Sequence, residues 1–229
     1  MIVGLAISAL IAHPVAAKKD KNVGKPAVSS WYTQTFLRSD AGLNVTYWWS
    51  LKSKFRAETV VSGHKLVTIV NGETYYVYDA LAMTGIAIRR APEALAAESP
   101  DRRPFGNEAQ TVIDQGGEKI REETVAGKPA DVYQITDEDG RRVVWVTQDD
   151  RRLPIRMEWF SRKTGSTRFK EYVDWISDLP VNDAFFEPEP GIEFERFELD
   201  GYMAKSREKG PASMLPVLYR ELLHGPAPG

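Results

Sequence analysis

Cysteine is absent from the 229 residues. That removes disulfides, thiolate metal sites, a cysteine nucleophile and the lipid-modified cysteine of a bacterial lipoprotein, so the fold must stand on its core. A basic excess is lacking too: 30 Lys+Arg against 32 Asp+Glu give a net charge of -2 and a pI near 6.0. Nucleic acid is therefore not an expected partner. Histidine is scarce, and of the three only His64 lies away from the two ends, where a general base would still need an orienting acid and a nucleophile. No glycine-rich phosphate loop precedes a helix. The acidic clusters Asp137-Glu138-Asp139 and Asp149-Asp150 fall in hairpin turns, where backbone geometry alone favours them. Neither catalysis nor a metal or cofactor is expected.

The apolar run in Met1–Ala17 is too short to cross a bilayer, which takes about 20 residues. Its length and its small closing residues Val15-Ala16-Ala17 suit a cleaved export signal, although no Lys or Arg precedes the run. An uncleaved anchor or a buried N-terminal segment are the alternatives. Lys18–Ser30 then reads as a polar leader, with Gly24 and Pro26 against a helix. The expectation is a periplasmic protein without a lipid anchor. One domain is favoured over two, spanning residues 31–200, with residues 201–229 as a tail.

What the chain does have is strands. Ala130–Thr136, Arg141–Thr147 and Leu153–Trp159 follow one another across Asp139-Gly140 and Asp149-Asp150. Two-residue turns would set Thr136 opposite Val143 and Ile135 opposite Val144. Tyr133, Ile135, Val144, Val146, Leu153, Ile155 and Met157 then share one apolar face. The other face is mixed, with Val132, Val143 and Trp145 as apolar exceptions. Upstream, Trp31–Arg38 and Val45–Phe55 read as paired strands, and Leu66–Val70 and Thr74–Asp79 flank Asn71-Gly72. A two-residue turn there aligns Tyr76 with Val67 and Tyr78 with Lys65. Ala82–Arg90 and Lys119–Val125 are further strands.

Pro92–Glu98 and Phe105–Gln115 read as short helices, the second closed by Gly116-Gly117. Thr167–Ile176 is a strand whose loop length decides whether Val173 and Trp175, or Tyr172, meet the preceding strand. Asn182–Phe186 looks like a capped turn and Ile192–Phe197 a last strand. Lys205–Gly210 reads as a charged spacer, and Ser213 as the cap of a helix Met214–Leu223 carrying Leu215, Leu218, Tyr219 and Leu222 on one face. Such a helix lies back on the sheet or meets a membrane surface or partner groove. The whole is a mainly β chain: a curved antiparallel sheet forming an unclosed half-barrel, short helices as a lid, and a C-terminal helix.

Gly127-Lys128-Pro129-Ala130-Asp131-Val132-Tyr133, Val144-Trp145-Val146, Leu153-Pro154-Ile155-Arg156-Met157-Glu158 and a Phe185 or Phe186 ahead of Pro190-Gly191 resemble, in that order, the LolA-like outer-membrane lipoprotein-sorting family. Tyr32-Thr33-Gln34-Thr35, Lys54-Phe55-Arg56-Ala57-Glu58 and Tyr75-Tyr76-Val77-Tyr78 look similar too, so the likeness covers about Trp31–Glu198. The resemblance implies an unclosed barrel holding acyl chains of a lipid or lipoprotein, or a domain that senses mislocalised lipoproteins through an envelope protein. It also implies Arg56 as the strand arginine that holds the lid. Tyr47, Trp49, Tyr76 and Tyr78, with the apolar face from Tyr133 to Met157 given above, are the expected cavity lining under residues 91–115.

Overall fold

The computed structural model describes residues 30–99, 102–209 and 215–226. The expected signal, the leader up to Ser29, and the Ser213 cap with Met214 lie outside the described residues. Six strands come first: β1 (Ser30–Ser39), β2 (Gly42–Leu51), β3 (Lys54–Val61), β4 (His64–Asn71), β5 (Thr74–Asp79) and β6 (Thr84–Arg89). Two helices follow, α1 (Pro92–Ala96) and α2 (Glu108–Asp114). The chain then returns to strand as β7 (Glu118–Val125), β8 (Lys128–Thr136), β9 (Gly140–Thr147), β10 (Pro154–Ser161) and β11 (Thr167–Ser177). A 3-10 turn Asp183–Phe186, β12 (Glu193–Phe197), α3 (Leu199–Lys209) and α4 (Arg220–His224) complete it.

All twelve strands form one unclosed sheet in the order β12-β6-β5-β4-β3-β2-β1-β11-β10-β9-β8-β7. Every ladder is antiparallel except β12 with β6, which is parallel. The edge strand β7 is exposed along most of its length and carries Glu118, Lys119, Arg121, Glu122 and Glu123, which discourages pairing with another chain.

The strands form where alternation and turn residues place them, but several registers differ from simple counting. At Asp139-Gly140 the pairs are Thr136 with Arg141 and Tyr133 with Val144. The turn is centred on Glu138-Asp139, with Asp137 N–H donating to Gly140 O at 2.9 Å, and the Asp137 carboxylate fixes it by accepting the backbone N–H groups of Asp139 and Gly140 at 3.0 and 3.1 Å. At the Asn71-Gly72 hairpin the turn residues are Gly72, at φ 57°, and Glu73, so Tyr76 faces Ile69 and Tyr78 faces Val67. Both slips are even, so no side chain changes face.

Odd steps do change faces. A bulge between Pro154 and Arg156 turns Ile155 away from Met157 and into the cluster of Ala130, Val132, Val143 and Trp145. The open choice at the β10–β11 loop resolves with Met157 opposite Lys170 and Tyr172 buried. A second irregularity, where Asp174 adopts φ 50°, brings Trp175 back to the side of Tyr172, and the two rings stack at 5.4 Å. The expected strand Val45–Phe55 is broken at Lys52, which also has a positive φ, so Phe55 belongs to β3.

The tail departs most from expectation. The stretch read as a charged spacer is helix α3, and α4 is confined to Arg220–His224. Residues 215–219 lie extended, with Leu215, Val217 and Tyr219 partly buried and Pro216 and Leu218 exposed in alternation. Pro216 has no N–H to give a helix here, and the extended path lets every second side chain reach the sheet.

Each face of the sheet carries a packed cover over part of its width. On what is here termed the inner face, Trp48, Phe55, Val70, Tyr75, Val77 and Ile88 pack against Phe105, α3 through Tyr202, and the tail through Leu215, Val217, Tyr219, Leu222 and Leu223. On the outer face, Val67, Ile69 and Tyr78 pack against Phe186 and its neighbours Val181, Phe185, Ile192 and Phe194.

Arg90 joins lid, tail and sheet. Its Nε donates to Leu222 O and its Nη1 to Gly72 O and Glu98 Oε1, each at 2.6 Å, and its side chain is 1% exposed. Ala91 N–H adds a bond to Leu223 O at 2.9 Å. Replacing Arg90 by Met removes the partner of the Leu222 and Gly72 carbonyls and of the Glu98 carboxylate. It should lower the urea unfolding free energy by about 3 kcal/mol, whereas the exposed Arg89→Met should stay within about 0.5 kcal/mol.

Candidate functional site

Cross-strand pairing fixes which side chains face the lid. Thr33 stands opposite Trp48, Thr35 opposite Thr46 and Tyr172, Thr46 opposite Thr59, and Ala57 opposite Thr68. The inner face of β1–β4 is thus a band of buried hydroxyls around Trp48, whose indole N–H donates to Thr35 Oγ1 at 2.8 Å. Thr59 Oγ1 lies 2.9 Å from both Val45 O and Asn44 Oδ1 and donates to one of them, whereas Ser50 Oγ in the same band is buried with no hydrogen-bond partner among the described residues.

The expected lining divides between the two faces. Tyr133, Ile135, Val144, Val146 and Met157 come together under α2, against Ala109 and Val112, and Leu153 joins the inner core beside Trp31. Trp49, Tyr76 and Tyr78 lie on the outer face, and Tyr47 stacks on Trp49 with ring centres 6.1 Å apart while 40% exposed. Ile155 is on that side as well, through its bulge. The misassignment has a physical cause. In β4 and β5 both faces are buried, so hydrophobicity does not say which one meets the lid, and in β2 the buried side is the one bearing Thr46, Trp48 and Ser50 although the other carries the aromatic pair Tyr47 and Trp49.

Arg56 also points outward. It pairs with Glu58 at 2.8 Å and Glu189 at 2.9 Å, donates to Phe185 O at 3.2 Å, and lies 4.9 Å from the Phe185 ring centre. Burial opposes its charge, but the two carboxylates outweigh burial and raise its pKa. It therefore clamps the segment after the 3-10 turn to the outer face. The arginine that holds the lid is Arg90, which the sequence marks only as the second of two arginines ahead of Ala91-Pro92.

Two adjoining cavities lie against the inner face, one between sheet, α2 and tail and the other between sheet and tail. One of about 540 Å³ is lined by Phe105, Thr111, Val112, Met157 and residues Val217–Leu222. The other, about 730 Å³, is lined by Thr35, Leu37, Thr46, Thr59 and Arg168. Trp48, Trp159, Lys170, Leu218, Tyr219 and Glu221 line both. Volumes of this size suit a small-molecule ligand, for which about 300–1,000 Å³ is usual. The tail forms one wall: the Tyr219 ring lies 5.0 Å from those of Trp48 and Phe55, and its N–H donates to the Tyr75 hydroxyl at 3.4 Å. Burial pushes the Tyr75 phenol up to about 12 and Tyr219 higher still, so both stay neutral at physiological pH.

A polar cluster tethers α2 to β11. Lys170 Nζ donates to Glu108 Oε1 at 2.8 Å, the Tyr172 hydroxyl donates to the same oxygen, and the ammonium lies 4.8 Å from the Trp48 ring centre. Burial drives the Glu108 carboxyl upward, but Lys170 and Tyr172 together overcome it and hold the group below its ordinary value. Tyr172 moves well up, through burial first and then the Glu108 charge. Elsewhere His64 Nδ1 meets Asp79 Oδ2 at 2.5 Å, and the other carboxylate oxygen accepts the Leu81 and Ala82 N–H groups, the arrangement of a turn cap.

No family model and no curated protein matches the sequence. Among solved structures, an uncharacterized conserved protein from Thermus thermophilus superposes with a TM-score of 0.53 at 11% identity, covering 74% of this chain and 91% of that one. At that identity the likeness is one of fold. MucB of Pseudomonas aeruginosa, solved with MucA, gives 0.44 at 12% identity over 72% of this chain, and this chain spans only 57% of it. A candidate outer membrane lipoprotein-sorting protein domain from Vibrio parahaemolyticus gives 0.31 at 13% identity over 69% of this chain and 88% of that one. Scores this low add no weight to the fold comparison. The unclosed, almost wholly antiparallel sheet with short helices against it, the architecture a LolA-like resemblance implies, is the one observed.

Because the folded pKa of Glu108 is depressed, its contribution to stability is present above the ordinary carboxylate range and lost as pH falls through the lower, folded value. In urea titrations across acid pH, Glu108→Gln should be less stable than the wild type at neutral pH. The gap should close on acidification. A gap that widened would invert the assignment.

Proposed function

From a LolA-like half-barrel fold, we propose that this chain is an exported binding protein that takes an acyl chain of a lipid or lipoprotein into the space between its sheet, α2 and its tail, without covalent chemistry. The observation that carries the reading is the pair of adjoining cavities on the inner face, one beneath α2 and one beside it, both walled by Trp48, Trp159 and the tail. Burying one long chain contributes on the order of 10 kcal/mol at about 0.8 kcal/mol per methylene. Association costs an estimated 4–15 kcal/mol, so one chain is held reversibly and two are held better. A carrier that must release its cargo fits that balance. The export signal expected in Met1–Ala17 supports a periplasmic setting, and the lack of cysteine agrees with a chain that carries no lipid anchor.

The tail gives the cavity an adjustable wall. Leu218 lines both cavities yet is 38% exposed, and residues 215–218 belong to no helix or strand. Displacing this segment would enlarge the space for a second chain at the cost of the contacts of Val217 and Tyr219.

A second reading, an envelope sensor or scaffold, draws on the opposite face. Leu43 and Val60 are 63% and 59% exposed and flank Val45 and the exposed Tyr47 on adjacent outer strands, an apolar strip suited to a protein partner. A photocrosslinker at position 43 that captures a defined envelope protein, where one at position 218 does not, would favour it.

The test of the carrier reading is uptake of a long-chain acyl probe by the purified protein, followed by native mass spectrometry and quenching of tryptophan emission. One or two chains per protein are expected. Leu218→Glu, a change at an exposed position, should weaken uptake about tenfold or more while shifting the unfolding midpoint little. Failure of the wild-type protein to take up any acyl probe ends the reading.

A further inference from the structure

On the far side of α2 from the acyl cavity lies a pocket of about 300 Å³ whose walls include Arg102, Arg103, Arg151 and Arg152, with Asp114 as the acid among them. Two separate stretches of chain supply these arginines, the loop before α2 and the β9–β10 turn. Arg103 is held in place by stacking, its guanidinium 4.7 Å from the Trp31 ring centre and 5.1 Å from that of Trp175. Its Nε is buried and finds no hydrogen-bond partner among the described residues. Burial lowers the Arg103 pKa, and the charge of Arg151 lowers it further while Glu108 offsets part of the effect.

Of the other three, Arg151 is engaged by Asp149 at 2.8 Å. Arg102 and Arg152 make no side-chain hydrogen bond or ion pair among the described residues. Asp114 accepts from Gln110 at 2.6 Å rather than from an arginine. Solvated arginines on one loop would need no explanation. Converging guanidinium groups from two segments, one of them half-buried, stacked and donating to Gly106 O at 3.3 Å, repel one another unless an anion sits among them.

We infer that this pocket is an anion site for a phosphate group. The planar fork of arginine matches phosphate oxygens two at a time, and several guanidinium groups around one small pocket can neutralise more than a single charge. The phosphate has two sources: the headgroup of the acyl ligand, or free phosphate. Arg102, Gly106 and Asn107 line this pocket and the 540 Å³ cavity alike, so a headgroup here and a chain there would be joined across Gly106. That rim has no room for a side chain, since a Cβ on Gly106 would come within 2.3 Å of the Trp175 ring. The headgroup form rests on the acyl-binding reading above; the free-phosphate form does not.

Three probes separate the cases: hexadecyl phosphate, hexadecanol and inorganic phosphate, each titrated into the wild type and into Arg102→Gln/Arg152→Gln, a variant of two exposed side chains whose unfolding midpoint is checked first. The expected result is hexadecyl phosphate binding about tenfold more tightly than hexadecanol, with that margin lost in the variant and hexadecanol unaffected. Inorganic phosphate that binds the wild type and not the variant, with no margin between the two chain probes, supports the site in its free-phosphate form. The same phosphate result without hexadecanol binding keeps the anion site and removes the acyl reading. If neither phosphate probe distinguishes the variant from the wild type, the anion site is overturned, whatever hexadecanol does.

Discussion

An open sheet of twelve strands has two faces to hide, and hiding both from one chain is the constraint from which the remaining features follow. A closed barrel would hide one face against itself. Here the chain has to leave the sheet and return to it on each side. The segment from Val181 to Phe194 covers the outer face around β4 and β5, and α2, α3 and the tail cover the inner one. Each cover is pinned by one buried arginine at its margin. Arg56 fixes the outer segment through Glu58, Glu189 and the Phe185 carbonyl, and Arg90 fixes the lid and the tail through Glu98 and Leu222 O. Apolar contact supplies the gain from burial, but it is non-directional. The guanidinium forks decide where each cover sits.

The two covers differ in kind. The outer one is short, aromatic and close-fitting, with Phe194 against Tyr76 and Tyr78 and Phe185 against Trp49. The inner one is assembled from short helices and an extended strap, none long enough to lay a continuous ridge along the strands. Helices of five and seven residues leave gaps that a single long amphipathic helix would fill. Those gaps are the cavities, bordered by hydroxyls such as that of Thr59 and by the Lys170–Glu108–Tyr172 cluster. Space for a ligand thus follows from how the lid is built rather than from any one pocket residue.

Much of the strand order was open to reading. Alternation in β8 and β9 placed Tyr133, Ile135, Val144 and Val146 together, and even slips at Asp137 and Gly72 left faces unchanged because side chains repeat every second residue. Where bulges insert one residue, at Ile155 and near Asp174, counting fails, since nothing local in Leu153–Pro154–Ile155 or Val173–Asp174–Trp175 announces an odd step. Arg56 was visible as an arginine inside an apolar strand, but its direction depends on which side of β3 the lid takes. Arg90 acquires its role only when Gly72, Glu98 and Leu222 come together from three parts of the chain.

The sequence by itself determined the class of fold: strands from period-two alternation, turns from Asp, Asn and Gly, short helices from Pro92 and the Gly116-Gly117 stop, and freedom from disulfides. Those are local properties, set by backbone sterics and by neighbours a few residues apart. Only the tertiary structure decided which face of the sheet bears the lid, that the tail runs extended across it, and that four arginines from two loops surround one pocket. These depend on contacts between residues far apart in sequence. When both sides of a strand are buried, hydrophobicity says that each is covered and leaves the identity of the cover to the packing.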